Sequence, residues 1–176
     1  MTRPSRDSQK ARVYRAEHAW AFRLDAARLG ARLATVAGSA ILLPEERRFG
    51  TLASAAHYLA QVLALASVTE RWGVIEVPTL RLRSGPDRAH WESPGVIAVP
   101  VPVHGEPWAL RESVLLHELA HHVAHHRPPA GAVRPLGHGP GFPALLLALV
   151  AIVLGEEAAL ALRVAYGDER VEVGTL

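Results

Sequence analysis

Residues 117 to 121 of this chain read His-Glu-Leu-Ala-His, and His138 follows seventeen positions later. On an α-helix, residues four positions apart lie on one face, with their β-carbons about 5–6 Å apart. His117 and His121 could therefore bind one metal ion together, and Glu118 would flank that ion, about 100° further round the helix. This pattern on a helix is a signature of zinc hydrolases. We predict that His117 and His121 are zinc ligands and that Glu118 is catalytic.

A catalytic zinc site commonly has a third protein ligand. The extended motif H-E-x-x-H-x-x-G-x-x-H is excluded, because Ala124 and Arg127 stand where it needs glycine and histidine. His138 is the best candidate, since the Pro- and Gly-rich loop before it can bring the chain back over the helix. Glu156 or Glu157 remains open, in the manner of enzymes that take a glutamate from a later helix.

The other histidines on this helix are less well placed to bind the same metal ion. His125 lies on nearly the same face as His117, but about 12 Å further along the helix axis. His122 and His126 point progressively away, and we interpret them as solvated groups or as groups that support the ligands. His57, on a separate predicted helix, is interpreted as structural or solvated.

Three protein ligands would leave the fourth zinc position to water, whose pKa then falls towards about 7. Glu118 could take a proton from that water and pass it to the leaving group. Zinc would also polarise the scissile carbonyl and stabilise the developing oxyanion. Tyr166, His104 and His90 are possible further oxyanion donors, and spacing alone does not choose between them.

The motif pair His117-Glu118-x-x-His121 and His138-Gly139-Pro140-x-Phe142 resembles the SprT-like and Spartan metalloproteases. Those proteins carry H-E-x-x-H followed by H-G-P-E-F or a close variant. The resemblance implies zinc ligation by the three histidines and catalysis by Glu118. Gly141 stands where that family often has glutamate, so any role of that carboxylate is lost here.

A second resemblance, which covers most of the chain, is carried by four stretches: residues 6–14 (RDSQKARVY), 47–50 (RRFG), 95–100 (GVIAVP) and 108–112 (WALRE). It is to an actinobacterial family named as metallohydrolases for its HExxH motif, which implies a zinc hydrolase of zincin-like fold and no particular substrate. By analogy with zincins, the strand near Val96–Val99 could line a cleft and pair with an extended peptide.

Apolar residues at three- and four-residue intervals predict the helices that must position this site. We expect a first helix over about 8–34 and a second over about 51–68. The motif helix should run from about Trp108 to His126, with Pro107 in its first turn. Two further helices are expected at about 143–154 and 156–166, and the tail from Gly167 is weakly specified.

The region from Gly73 to Val103 instead has the pattern of short strands separated by turns. We expect strands at about 79–83, 89–92 and 96–99, forming an antiparallel meander. Pro100 and Pro102 are typical of a strand end or a sheet edge. A further short extended piece is expected at 40–43. The predicted class is therefore α+β, zincin-like, with a small antiparallel sheet packed against the motif helix and several further helices.

Length, composition and charge limit the classes of protein to which this chain can belong. The 176 residues are 49% hydrophobic and 20% charged, with no long linker or repeat, so we expect one compact domain over 1–176. The net charge is only +2, but residues 1–32 hold seven arginines and one lysine against three acids. Such a basic stretch can bind nucleic acid, although a solvated surface is the simpler interpretation.

The chain contains no cysteine, which excludes disulfides and thiolate ligands and fits a cytoplasmic location. The N-terminus is polar and lacks the apolar core of a signal peptide. The apolar stretch Phe142–Leu154 is shorter than the roughly 18–20 residues that a membrane span needs. We therefore expect no membrane span and interpret that stretch as a buried helix.

These observations predict a zinc-dependent hydrolase, first of all a metallopeptidase that acts on a peptide or protein. The intact Glu118 favours an enzyme, because zinc binding alone does not need that carboxylate. Two alternatives stay open: a non-catalytic zinc-binding or interaction module, and a DNA-associated SprT-like protease. The sequence indicates neither a particular substrate nor an oligomeric state.

Overall fold

The computed structural model describes Asp7 and residues 9–85, 88–101, 109–128 and 137–176. Within these residues the chain has six helices and two small sheets, of two and three strands. This confirms the predicted α+β class. The chain divides into two compact units, 1–45 with 129–176 (the terminal unit) and 46–128 (the central unit). That they form one domain over 1–176 stays a prediction.

The terminal unit holds three helices and a hairpin. Its elements are α1 (Lys10–Arg28), β1 (Leu33–Val36), β2 (Ser39–Leu42), α5 (Gly141–Leu154) and α6 (Glu156–Asp168). Helix α6 packs against both α1 and α5. The face that α1 buries follows helical spacing, and the Trp20 indole on it donates a hydrogen bond to the Ala158 carbonyl over 3.1 Å. The buried residues of α1 are Val13, Ala16, Trp20, Leu24 and Ala27.

The first helix ends earlier than we predicted. It stops at Arg28 rather than near Ala34, because Gly30 adopts φ +100° and turns the chain away. The amide of Gly30 donates to the Ala27 carbonyl and that of Ala31 to the Ala26 carbonyl, the bonds of a Schellman motif.

The residues after this stop form the β1–β2 hairpin, of which the sequence predicted only the second strand. Leu33 stands opposite Leu42 in an antiparallel ladder. The connecting residues Ala37 and Gly38 have φ of 49° and 82°, as a two-residue type I′ turn requires.

The central unit holds the remaining three helices and the three-stranded sheet. Its elements are α2 (Leu52–Leu63), α3 (Ala66–Trp72), β3 (Thr79–Arg83), β4 (His90–Glu92), β5 (Val96–Pro100) and α4 (Glu112–His126). The single helix predicted over 51–68 is wrong, because Leu65 is extended (φ −59°, ψ 135°) and separates α2 from α3. Thr51 caps α2 through a reciprocal pair of hydrogen bonds with Ser54.

The antiparallel meander is also wrong. The strand order is β3-β5-β4, with β3 parallel to β5 and β4 antiparallel to it. Strand β5 takes the centre because it is the apolar one, with Ile97, Ala98 and Val99 all buried. Both edges of Val96–Ala98 are already paired, so this segment is not the place where an extended peptide could add a strand.

The later helices lie close to their predicted positions. Helix α4 begins at Glu112 rather than Trp108 and ends at His126 as expected. Pro102, Pro107 and Trp108 lie outside the described residues. Helices α5 and α6 extend the predicted ranges by two residues each, at their start and end respectively.

In the part of the chain that the structure describes, no single helix has both the length and the apolar composition to cross a membrane. Helices α2 and α3 reach that length only as a pair, and the pair is bent by 65°.

Candidate metal centre

Helix α4 places the first two predicted ligands on one face. The rings of His117 and His121 lie edge to face, with centroids 5.0 Å apart. His117 and Glu118 are 4% and 3% exposed, and His121 is half-buried. Helix α4 can carry these buried polar groups because its apolar side chains pack into the core. Those fully buried side chains are Leu115, Leu116, Leu119, Ala120 and Val123.

The N-terminus of α4 is anchored by a buried carboxylate from a distant part of the sequence. Glu46 accepts a hydrogen bond from the backbone amide of Ser113 over 2.8 Å, so it caps the helix in place of a local side chain. The two oxygens of the same carboxylate share the single Nε–H of Arg111, at 3.0 and 2.9 Å, and Oε2 also accepts a bond from Nη2.

A second carboxylate in the first turn of α4 is fully buried. Glu112 accepts hydrogen bonds from the hydroxyl of Tyr58 over 2.7 Å and from the guanidinium of Arg47 over 2.6 Å. Burial and then the Glu112 charge raise the pKa of Tyr58 well above its ordinary value, and the hydrogen bond to Glu112 raises the pKa of Arg47. The two networks fix the position of the helix that carries the motif.

His122 is a buried structural residue, so its interpretation as a solvated group is wrong. Its Nδ1 accepts a hydrogen bond from the Trp91 indole over 3.2 Å, and its Nε2 lies 2.7 Å from the carbonyl oxygen of Glu76. Only the neutral ring with a proton on Nε2 satisfies both bonds. Burial lowers the pKa of His122 accordingly. The Trp91 ring also contacts His125, with centroids 4.9 Å apart.

His138 lies just before α5 and is held by residues from the start of the chain. Its Nδ1 lies 2.8 Å from Oδ2 of Asp7, and its backbone amide donates to the same oxygen over 3.0 Å. Its carbonyl accepts a bond from Gln9 over 2.7 Å. The side chain of His138 is 5% exposed. Partial burial opposes ionisation of Asp7, but the hydrogen bonds from His138 outweigh it and lower the pKa of the carboxyl.

The structure brings all three predicted metal ligands together. One ligand nitrogen from each of His117, His121 and His138 lies within 4.8 Å of the others, so this group could hold a metal ion. Nitrogens bound to tetrahedral zinc lie about 3.3 Å apart, because Zn–N distances are about 2.0–2.1 Å. The 4.8 Å limit therefore exceeds the spacing in a formed zinc site by about 1.5 Å. The alternatives Glu156 and Glu157 are exposed and do not belong to this group.

The proposed oxyanion donors are placed differently from one another. Tyr166 is fully buried, and its hydroxyl donates to Glu17 over 3.0 Å, so it has a structural partner in the terminal unit. His90 lies on β4, where its Nε2 is 2.8 Å from Glu92. His104 lies outside the described residues.

Sequence reasoning missed Asp7 as part of the site. It stands 131 positions from His138, and no local motif links the two. The sequence did contain one indication, because Asp7 lies inside the 6–14 stretch that carries the second family resemblance. The spacing of the residues in that stretch did not indicate a role for Asp7.

Comparison of this chain with models of protein families, with curated proteins and with solved structures found no match. The resemblances to SprT-like proteases and to the actinobacterial HExxH family therefore stay predictions from the quoted motifs.

Proposed function

We propose that this protein is a zinc-dependent hydrolase of zincin-like architecture, in which His117, His121 and His138 bind the metal and Glu118 is the general base. The observation that supports this most is the mutual approach of the three histidines within 4.8 Å. Glu118 follows directly after the first of them on a helix that is anchored at its N-terminus.

The donor set favours zinc. All three ligands are imidazoles, which suit zinc and other late first-row metals, whereas calcium and magnesium prefer oxygen. Three protein ligands are characteristic of catalytic zinc sites, while structural sites usually have four. A zinc ion held by these histidines would lower the pKa of a bound water molecule towards about 7 and would polarise a carbonyl group.

The protein's own residues supply the proton transfers. The Glu118 carboxylate accepts the proton of the attacking water and then donates it to the leaving group, so one side chain serves as base and then as acid. Its burial keeps bulk water away and strengthens its electrostatic interactions with neighbouring groups.

A peptide is the proposed substrate class, and β4 is the strand that could bind it. Within the described residues, β4 pairs with β5 along one edge and has no strand on the other. Helix α4 packs against β4, so this edge belongs to the same unit as the motif helix. An extended peptide could add there through backbone hydrogen bonds. This replaces Val96–Val99 as the proposed substrate strand.

Two arginines of the basic helix α1 have intramolecular partners. Arg12 donates to the Arg170 carbonyl over 2.7 Å, and Arg15 pairs with Glu169 over 2.8 Å. These contacts give part of the basic stretch a role in packing the C-terminal tail. The DNA-associated protease is therefore kept only as the alternative to this proposal.

The test is hydrolysis of a defined peptide library by zinc-loaded protein, with Glu118→Gln as the matched variant. We expect Glu118→Gln to keep its zinc and to lose about 10²–10⁴-fold in rate, the usual contribution of a general base. His57→Ala changes an exposed histidine on α2 and should behave as the parent does. Equal rates for Glu118→Gln and the parent at equal zinc content would contradict the proposal and leave a non-catalytic zinc module.

A further inference from the structure

We infer that Asp7 is the positioning residue of the metal centre: its carboxylate orients the His138 ring and fixes which ring nitrogen faces the metal. The inference rests on the proposed role of His138 as a ligand. It is carried by contacts within the terminal unit that neither the HExxH motif nor the HGPxF pattern includes.

A single oxygen of Asp7 holds both the side chain and the backbone of His138. Oδ2 lies 2.8 Å from Nδ1 of the ring and accepts the backbone amide over 3.0 Å. Because both bonds end on one oxygen, the carboxylate fixes the ring relative to its own backbone. A carboxylate that hydrogen-bonds a ligand histidine is the arrangement that orients such rings in metal sites and raises their basicity.

Two aromatic rings complete the support. Tyr14 lies with its centroid 5.0 Å from that of His138, and Phe142 lies 4.8 Å away. The side-chain amide nitrogen of Gln9 donates a hydrogen bond to the His138 carbonyl over 2.7 Å. The side-chain oxygen of Gln9 accepts a hydrogen bond from the backbone amide of Glu172 over 3.0 Å. The ring of His138 is thus flanked by Tyr14 of α1 and Phe142 of α5, and its backbone is held by Gln9, which also bonds the C-terminal tail.

The hydrogen bond also selects the tautomer. A carboxylate accepts a proton but does not donate one, so Nδ1 carries the hydrogen and Nε2 carries the lone pair. A neutral imidazole binds a metal only through a nitrogen with a lone pair. Asp7 therefore presents Nε2 of His138 to the metal before any metal arrives.

The glycine before His138 provides the space for this contact. A β-carbon at Gly137 would stand 2.8 Å from Oδ2 of Asp7, which is too close, so the carboxylate would have to move. A β-carbon at Gly139, on the other side of His138, would meet nothing within 4 Å. Gly137→Ala and Gly139→Ala are therefore a matched pair: each adds one methyl group, and only the first displaces Asp7.

The experiment measures zinc affinity by competition with a chromophoric chelator in the parent, Asp7→Ala, Asp7→Asn, Gly137→Ala and Gly139→Ala. Loss of such a supporting group typically costs about 10–100-fold in metal affinity, and we expect this for Asp7→Ala and Gly137→Ala. Asp7→Asn keeps an oxygen that can accept the Nδ1 hydrogen and should be affected less. Gly139→Ala should match the parent.

Long-range ¹H–¹⁵N NMR of the zinc-free protein gives a second readout, which general stability would not alter. We expect His138 to carry its proton on Nδ1 in the parent and to shift towards the Nε2–H form in Asp7→Ala. Zinc binding by the parent, combined with parent-like affinity and tautomer in both Asp7→Ala and Gly137→Ala, would overturn the inference while leaving the proposed function intact. A parent that binds no zinc would overturn both.

Discussion

The indole nitrogen of Trp91 donates a hydrogen bond to Nδ1 of His122 over 3.2 Å. This bond joins β4, the proposed substrate strand, to α4 at the residue that follows the ligand His121. The other nitrogen of His122 bonds the Glu76 carbonyl, so one buried side chain connects the helix to two separate segments of the central unit.

Replacing His122 should therefore lower stability without removing a ligand. His122→Phe fills much of the same volume but leaves the Trp91 N–H and the Glu76 carbonyl without this partner. Each of these two part-buried hydrogen bonds contributes about 0.5–1.5 kcal/mol to the free energy of unfolding, so their joint loss costs about 1–3 kcal/mol. Urea denaturation should show a loss in this range, and His57→Phe on the exposed face of α2 should show almost none. Equal stability of the two variants would mean that the His122 bonds contribute little.

Replacing Glu46 tests the anchor of α4. Glu46→Ala removes the carboxylate that pairs with the partly exposed Arg111 guanidinium, and it removes the cap on Ser113. A lost helix cap costs about 0.5–2 kcal/mol and a lost hydrogen bond to a charged group about 1.5–3 kcal/mol, so the free energy of unfolding should fall by about 2–5 kcal/mol. The neighbouring Glu45→Ala, at an exposed position, should change the unfolding free energy by less than about 0.5 kcal/mol. A Glu46→Ala protein as stable as Glu45→Ala would contradict the assignment of Glu46 as the helix cap.

Tyr58 should make stability fall at alkaline pH. Its pKa is raised in the folded state by burial and by Glu112, so the unfolded chain loses the phenolic proton first, near the ordinary pKa of about 10. Stability contributed by the neutral phenol is therefore complete below about pH 10 and declines as the pH rises above it. Tyr58→Phe should be less stable at pH 7, by about 1 kcal/mol for the lost hydrogen bond. Its unfolding free energy should decline less between pH 9 and about 11 than that of the parent. An identical alkaline slope in both proteins would contradict the buried setting of this tyrosine.

Local patterns in the sequence predicted the motif helix and the two helices after it. Leu115, Leu119 and Val123 repeat at helical spacing, and glycine or proline marks the ends of these segments. The three-histidine group followed from the same reasoning, since His117 and His121 share a helix face and the loop before His138 permits its return. The three histidines of this group could therefore be predicted from the sequence alone.

Contacts between distant segments could not be predicted from these local patterns. Alternation predicts a strand but not its neighbour, and so the parallel pairing of β3 with β5 was missed. The first helix was predicted to continue past Gly30 because Ala31 keeps the helical spacing of the apolar residues before it, such as Leu24 and Ala27. The contact of Asp7 with His138 spans 131 positions, and nothing local marks it.

The most direct test of the metal centre is the zinc content of purified protein, measured by elemental analysis in the parent, His138→Ala and His57→Ala. We expect about one zinc per chain in the parent and in His57→Ala, and a clear loss in His138→Ala, because three imidazoles rather than two hold the ion. Full zinc content in His138→Ala would contradict the three-histidine centre. A parent without zinc, even after reconstitution with the metal, would contradict the hydrolase account as a whole.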